Sequence, residues 1–210
     1  MMKKVITLFL VFVMVLCCLS ACSSVKLTVE KVQNAGKLII GTSPDFPPFE
    51  SLSTDGKVEG IEIEIMELIC QELGVELEIK AMDFGMVLSS VDLGQADIAI
   101  SGFGWREDRD QSFELSIGYN KSGEAACQGL MVKADKVDQY KTLADFAGLK
   151  IVAQPGSLQE SYVNEQISDA DLQLVADLTT AVLMLKTDKV EAFACSCEQM
   201  DAYANANPEI

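Results

Sequence analysis

The chain has 210 residues, of which 16 are basic, 32 are acidic and none is histidine, giving a formal net charge of −16. This charge argues against binding to nucleic acid or to an anionic membrane surface, because each of these partners requires a basic protein surface. Without histidine the chain has no imidazole for a catalytic triad, a general base or a zinc site, although lysine or carboxylate chemistry is not excluded.

The N-terminus has the features of an export signal. A nearly unbroken apolar run over 5–19 follows two lysines, and its 15 residues are fewer than the about 20 that a membrane-spanning helix needs. The small residues before Cys22 resemble a bacterial lipobox, in which the cysteine carries the lipid. We expect a signal peptide over 1–21, a lipidated Cys22 and a tether over 22–36; an uncleaved anchor or an ordinary export signal is the alternative.

Residues 37–126 are predicted to form a first α/β lobe. Short apolar or alternating runs predict strands over 37–41, 75–79 and 98–100. Apolar residues at helical spacing predict helices over 61–73 and 84–93, each followed by a glycine. This β-α-β-α-β order implies a parallel sheet covered by helices. In the first helix the predicted apolar face consists of Ile61, Ile65, Leu68, Ile69 and Leu73.

Residues 127–210 repeat the alternation and are predicted to form a second lobe. Predicted strands cover 129–132, 150–153, 172–175 and 190–196. Predicted helices cover 142–146, 158–167 and 179–186, and another begins near Glu198. The ligands of such sheets lie outside the carboxyl ends of the strands, so a shared ligand between the two lobes is expected.

Two strand-to-helix junctions are candidate anion sites. The first, over 97–110, contains Arg109, and the second contains Gly156 and Ser157. Free backbone N–H groups at a helix start attract an anion, and an arginine matches a carboxylate with two parallel hydrogen bonds. The alternative for the first junction is an ordinary turn with a solvated arginine.

A proline-rich loop follows the first predicted strand. Its three prolines, at 44, 47 and 48, are expected to prevent regular structure. Phe46 and Phe49 in this loop either form a wall for a ligand or pack beneath the loop; the sequence favours neither.

Four cysteines lie beyond the predicted signal and the lipidation site: Cys70, Cys127, Cys195 and Cys197. Apolar or small neighbours make buried, small hydrophobic side chains the default interpretation. A disulfide among them remains open. No CxxC spacing occurs, so we expect no metal.

Four segments carry recognisable motifs: GKLIIGTSPDFPPFE (36–50), GIEIEIMELICQELG (60–74), ADIAISGFGWREDR (96–109) and GLKIVAQPGSLQE (148–160). In this order and spacing they resemble the bacterial extracellular solute-binding proteins of family 3, the polar amino acid receptors of ABC importers. The resemblance covers about 37–208. It implies an α/β fold of the type II periplasmic-binding-protein kind, with two lobes whose parallel-rich sheets are flanked by helices.

The resemblance also implies a function. The chain would be a lipid-anchored receptor outside the cytoplasm that captures a small amino acid and delivers it to an ABC transporter permease, without a cofactor. By position, Arg109 would pair with the α-carboxylate of the ligand and Phe46 would cover it. Ser101 and Gly102 would offer polar and backbone contacts.

In the second lobe the resemblance carries over less completely. Ser157 and Leu158 would present N–H groups to the ligand. Ser196 stands where the family has an acidic residue for the ligand ammonium, and Glu198, two residues on, is a candidate substitute. Ser43 stands where receptors for basic amino acids have an aspartate, so a neutral or acidic ligand is expected rather than a basic one.

Family members continue well beyond the position where this chain ends, so the return of the chain to lobe 1 is expected to be missing. Two other functions remain as alternatives. One is a cyclohexadienyl-dehydratase-like enzyme on the same fold, for which Glu50, Glu124 and Glu198 are the candidate acids or bases. The other is a ligand-sensing domain.

Overall fold

A computed structural model describes residues 27–119 and 127–210. The predicted signal peptide, Cys22 and the start of the predicted tether lie outside these residues, as does 120–126, which includes Glu124. No helix within the described ranges is long and apolar enough to cross a membrane.

The first lobe is built on a parallel sheet. In chain order its elements are α1 (Val29–Ala35), β1 (Lys37–Thr42), β2 (Asp45–Phe46), β3 (Glu50–Leu52), β4 (Val58–Glu59), α2 (Ile61–Leu73), β5 (Glu76–Ala81), α3 (Phe84–Asp92), β6 (Ile98–Ala99) and α4 (Glu107–Ser112). Strand β1 is central in the order β5-β1-β6, and both neighbours run parallel to it. The predicted β-α-β-α-β succession is confirmed, because α2 and α3 make the crossovers.

Helix α1 lies where the sequence predicted part of a tether. The side chain of Thr28 accepts a hydrogen bond from Lys31 N at 3.2 Å, and Gly36 ends the helix in the left-handed conformation. Val32 is buried against the core of the first lobe. The tether prediction is therefore wrong for 29–35, because the two caps define a helix here and Val32 packs it against the lobe.

Helix α2 packs with a different face from the one predicted. Its buried residues are Glu62, Ile63, Met66 and Cys70. Of the predicted apolar face, Ile61, Leu68 and Ile69 are instead exposed. Ile63, Met66 and Cys70 follow helical spacing as well as the predicted set does, so apolar periodicity alone could not choose between the two faces.

The proline-rich loop contains more regular structure than expected. Strands β2, β3 and β4 form a small antiparallel sheet in that order. Pro44 precedes β2, whereas Pro47 and Pro48 lie in the turn before β3. None of the three occupies a paired position in these strands, so the prolines restrict the length of the strands without preventing them.

The second lobe has a mixed sheet. Its strands and α-helices are β7 (Gln128–Met131), β8 (Lys150–Ala153), α5 (Leu158–Gln166), β9 (Asp171–Leu174), α6 (Leu178–Lys186), β10 (Ala192–Ser196) and α7 (Cys197–Ala206). The strand order is β7-β10-β8-β9, with β7 antiparallel to β10 and the other pairs parallel. Every residue of β10 is buried, since helices cover both faces of the sheet. The short helix predicted over 142–146 is a 3₁₀ turn.

The structure resolves the question of the cysteines that the sequence left open. Cys127 and Cys197 form a disulfide, with their Cα atoms 5.4 Å apart. Cys70 and Cys195 are buried free thiols. The disulfide joins the residue before β7 to the first residue of α7, so it fixes α7 to the start of the second lobe.

Candidate functional site

A cavity of about 270 Å³ lies between the two lobes. The seven residues predicted to contact a ligand all line it: Phe46, Ser101, Gly102, Arg109, Ser157, Leu158 and Ser196. Its size is near the lower end of the about 300–1,000 Å³ typical of small-molecule sites. The structure thus brings together the residues from both candidate anion sites.

Arg109 is the buried cation of this cavity. The residue is 4% exposed, and it lies on α4, the short helix that follows β6. Its Nη1 donates to Gly104 O at 2.7 Å and its Nη2 donates to Gly156 O at 2.8 Å, in the opposite lobe. The guanidinium carbon is 5.0 Å from the centre of the Phe103 ring. Because arginine has five N–H donors, three remain for a ligand.

The environment of Arg109 also changes its pKa. Burial lowers the pKa, and the nearby Arg106 lowers it further. A guanidinium nevertheless keeps its charge in proteins, so the cavity contains a desolvated cation. Such a group binds an anion more strongly than a solvated arginine does. The alternative of a solvated arginine in an ordinary turn is therefore wrong.

Ser101 and Gly102 line the cavity, but their donors are engaged by two glutamates. Ser101 Oγ donates to Glu50 Oε1 at 3.0 Å and accepts from Ser43 N at 2.9 Å. The Gly102 N–H donates to Glu62 Oε1 at 2.9 Å. The expectation that these groups offer the hydroxyl and the backbone N–H to a ligand is corrected, because both groups are already hydrogen-bonded within the first lobe.

Phe46 packs closely on the turn at Gly102. This glycine has a φ of 60°, and a Cβ atom at its position would overlap the Phe46 ring. Phe46 and Phe49 also contact each other, with ring centres 5.0 Å apart, and both line the cavity. The two roles that the sequence left open for these rings are thus combined, since they pack together and also form part of the wall.

The second lobe presents the start of a helix to the cavity. Ser157 caps α5 by accepting from Glu160 N at 3.1 Å, and its hydroxyl donates to Gln154 O at 2.7 Å. The Ser157 N–H donates to Gln154 O at 3.4 Å, a long hydrogen bond. Leu158 holds the first helical position, where an N–H group has no acceptor within the helix. Of the two predicted donors, Leu158 is therefore the better placed.

Ser196 has a structural role at the start of α7. Its side chain accepts from Gln199 N at 3.3 Å, while Gln199 Oε1 accepts from Ser196 N at 2.9 Å, which together form a capping box. Glu198, two residues on, lines the cavity. Its side chain forms no hydrogen bond or ion pair with another described residue.

Asp45 connects the two lobes beside the cavity. Its Oδ2 accepts from Gln154 Nε2 at 2.8 Å and from Leu178 N at 2.9 Å, and its carbonyl oxygen accepts from Tyr203 Oη at 3.1 Å. All three donors belong to the second lobe. Burial raises the pKa of Asp45, while the Leu178 N–H opposes this by stabilising the ionised form.

Sequence reasoning missed a pair of glutamates in the wall, since Glu50 was named only as a candidate acid or base of the enzymatic alternative and Glu62 was not named. Glu50 and Glu62 are both fully buried, and each contacts the turn at Ser101 and Gly102. Burial, with the neighbouring Glu62, raises the pKa of Glu50 to about 11. Glu62 lies within the predicted helix 61–73 but outside its predicted apolar face. Its place beside Ile63 and one turn before Met66, on the face that is buried, is the signal that would have revealed it.

Comparisons with known proteins agree with this geometry. The family model for bacterial extracellular solute-binding proteins, family 3, matches residues 38–192. A probable histidine-binding protein of Campylobacter jejuni is 30% identical over 100% of this chain and 80% of its own length. The L-cystine-binding protein TcyJ of Escherichia coli is 27% identical over 78% of this chain and 60% of its own length.

A solved structure is similar over both lobes. It is the amino acid ABC transporter substrate-binding protein AbpA from Streptococcus pneumoniae bound to L-arginine. It is 33% identical to this chain, with a TM-score of 0.80, over 86% of this chain and 76% of that one. This chain is shorter than these relatives, each of which is named as a binding protein. The chain belongs to the bacterial extracellular solute-binding proteins, family 3.

Proposed function

We propose that the chain captures an amino acid in the cavity between its lobes and delivers it to the permease of an ABC importer. The observation that carries this proposal is the position of Arg109, a buried guanidinium with unused donors that faces the start of α5 in the other lobe. A carboxylate between these groups would receive two parallel hydrogen bonds from the arginine. The Leu158 N–H would supply a further donor from the helix start.

The acidic group for the ligand ammonium is proposed to be Glu198. Four acidic residues line the cavity, and three of them have other partners. Asp45 binds the second lobe, whereas Glu50 and Glu62 hold the turn at 101–102. Glu198 is the remaining one, and it lies at the start of α7 opposite the first lobe. Ser196 caps that helix and carries no charge, so it does not replace the acid.

The class of ligand side chain is a finer proposal. Ser43 and Ser196 remove two acidic positions, which favours neutral or acidic amino acids over lysine and arginine. The named ligands of the relatives, which are histidine, L-cystine and L-arginine, give this preference no support. Within the structure, the Ser43 hydroxyl donates to Asp45 Oδ1 at 3.0 Å, so this position offers no free anion. A ligand panel must therefore include all charge classes.

Membership of an extracellular family supports a location outside the cytoplasm. The lipid anchor is a separate proposal, which rests on the residues before Cys22 and concerns a segment outside the described ranges. A lipid at Cys22 would hold the receptor close to its permease, and α1 begins only a few residues later.

The enzymatic alternative has less support. The named relatives are binding proteins, which supports a chain that binds its ligand without converting it. Of the two candidate acids in the described ranges, both line the cavity, but Glu50 is fully buried whereas Glu198 is only partly buried. A direct assay for turnover of the ligand would separate the two functions.

A thermal-shift screen of the twenty amino acids tests the proposed function. A ligand that binds only the folded protein raises the Tm by an amount that grows with its concentration relative to its Kd. We expect at least one amino acid to raise the Tm, with the same affinity found by isothermal titration. A chain that responds to none of the twenty would contradict the proposal.

A further inference from the structure

Two buried carboxyl groups contact the turn at Ser101 and Gly102. Glu50 on β3 and Glu62 on α2 are both 0% exposed. Neither forms an ion pair with a lysine or arginine in the part of the chain that the structure describes. Ionised carboxylates are almost never fully buried unless they are paired, since burial removes their hydration. Either one of the two carboxyl groups is therefore neutral, or each has a partner other than the donor groups at its Oε1 atom.

The hydrogen bonds around the pair are unequal. Glu62 Oε1 accepts from the Gly102 N–H and also from Tyr119 Oη. Among the described residues, Glu50 Oε1 accepts from Ser101 Oγ alone. Because donors stabilise the ionised form of a carboxyl group, Glu62 is the better site for the negative charge and Glu50 is the better site for a proton.

The other oxygen atom of each carboxyl is also informative. Glu50 Oε2 and Glu62 Oε2 are buried, and neither has a donor among the described residues. The two carboxyl groups nevertheless bind adjacent residues of one turn, Ser101 and Gly102, and the neighbouring Glu62 raises the pKa of Glu50. A proton on one Oε2 would satisfy both atoms at once. No group of three or more metal-ligating side chains occurs among the described residues, so a proton is the simplest ion that fits.

We propose that Glu50 and Glu62 share one proton, held on Glu50 and donated to Glu62, and that this pair positions the turn at Ser101 and Gly102 that leads to Arg109. The pair then carries one negative charge instead of two. The link to ligand binding rests on the proposed function, because it assumes that Arg109 receives the ligand carboxylate. The shared proton itself does not depend on that assumption.

The surrounding groups favour retention of the proton. The other described titratable groups that act on the pair are Asp45 and Tyr119. Asp45 adds a negative charge, which opposes ionisation of Glu50. The pKa of Tyr119 is raised by burial and by Glu62, so its hydroxyl stays a donor to the pair. At neutral pH Glu50 therefore keeps its proton, because its burial and the negative charges beside it both oppose ionisation.

The first test measures the proton directly, by ¹³C NMR of the side-chain carboxyl carbons of the full chain without ligand. We expect one glutamate signal that remains in the protonated position at neutral pH and that disappears in Glu50→Gln. The Glu64→Gln variant is the matched control, since Glu64 is exposed on the same helix. Absence of a protonated glutamate at neutral pH would overturn the proposal. Persistence of the signal in Glu50→Gln would overturn its assignment to Glu50.

The second test uses the pH dependence of unfolding by urea. A raised pKa in the folded state gives stability that is complete below the ordinary carboxyl pKa and declines as the pH rises towards about 11. Glutamine keeps the acceptor for Ser101 and the donor to Glu62 without a titrating group. Relative to the wild type, Glu50→Gln should therefore become more stable as the pH rises from about 5 to about 10. The difference in unfolding free energy should grow with a slope that corresponds to about one bound proton.

Two comparisons complete this test. Glu50→Ala should lower the Tm well below that of Glu50→Gln, because it leaves Ser101 and Glu62 without a partner, whereas Glu64→Gln should follow the wild-type pH profile. A Glu50→Gln variant with the wild-type pH slope, and with a Tm as low as that of Glu50→Ala, would contradict the shared proton. All these measurements are made without an amino acid, so their failure is distinct from a failure to bind one.

Discussion

Arg109 Nη2 lies 2.8 Å from the carbonyl oxygen of Gly156, so a buried cation of the first lobe contacts the start of a helix in the second. This contact places the guanidinium where a carboxylate would touch both lobes. It also explains why two junctions far apart in the sequence, 97–110 and 154–158, form one site.

Asp45→Ala is expected to weaken the closure of the lobes. Asp45 accepts two hydrogen bonds from the second lobe through its carboxylate, and bonds to a charged group contribute about 1.5–3 kcal/mol each. Small-angle X-ray scattering of the ligand-free chain should show a larger radius of gyration for this variant. Asp55→Ala, at an exposed turn of the same lobe, should leave the radius unchanged. Equal radii for Asp45→Ala and the wild type would show that Asp45 does not hold the lobes together.

Glu198→Gln tests the proposed ammonium contact. Loss of a charged hydrogen bond of about 1.5–3 kcal/mol should lower the affinity for an amino acid about tenfold to a hundredfold. The matched control is chemical: the same ligand without its α-amino group should bind the wild type and the variant alike. Isothermal titration measures all four affinities. If the variant weakens both ligands equally, Glu198 acts on the fold of α7 and not on the ammonium.

Cys22→Ser tests the lipid anchor. If the sequence before Cys22 is a lipobox, the variant should leave the membrane fraction or fail to be processed. Cys18→Ser, inside the predicted apolar run of the signal, is the control and should behave as the wild type does. Normal processing and unchanged membrane retention of Cys22→Ser would rule out lipidation at this residue.

Much of the fold was predictable from local patterns. Strand 150–153 is predicted with its observed bounds, and the succession of strands and helices is confirmed in both lobes. The seven residues predicted to contact a ligand also line the cavity. Arg109 and Ser157 belong to the predicted strand-to-helix junctions, whereas Ser196 was predicted from the family resemblance. Periodicity and turn residues carry this information because it depends on near neighbours in the chain.

The remaining features depend on contacts between distant residues. The pairing of Cys127 with Cys197 spans 70 residues and could not be chosen from the spacing of four cysteines. The prediction of the buried face of α2 is wrong because two sets of apolar residues share the same helical period. The donors of Ser101 and Gly102 point at Glu50 and Glu62, and only the packing of α2 and β3 against the turn creates that arrangement.

The affinity of Arg109 variants for the best ligand of the amino acid screen tests the central claim most directly. Removal of one partner of a buried charged pair costs about 3–5 kcal/mol, so Arg109→Ala should lose about a hundredfold or more in affinity. Arg109→Lys keeps the charge but loses the paired donors, so it should also bind poorly. Arg106→Ala is the matched control, because Arg106 pairs with Asp108 outside the cavity wall.

Isothermal titration gives these affinities, and the fluorescence of Trp105, the only tryptophan and part of the cavity wall, gives an independent signal. We expect a ligand-dependent fluorescence change in the wild type and in Arg106→Ala. The change should be lost in Arg109→Ala, whose circular dichroism should remain that of a folded chain. A folded Arg109→Ala that binds the same ligand with wild-type affinity would contradict the assignment of the site.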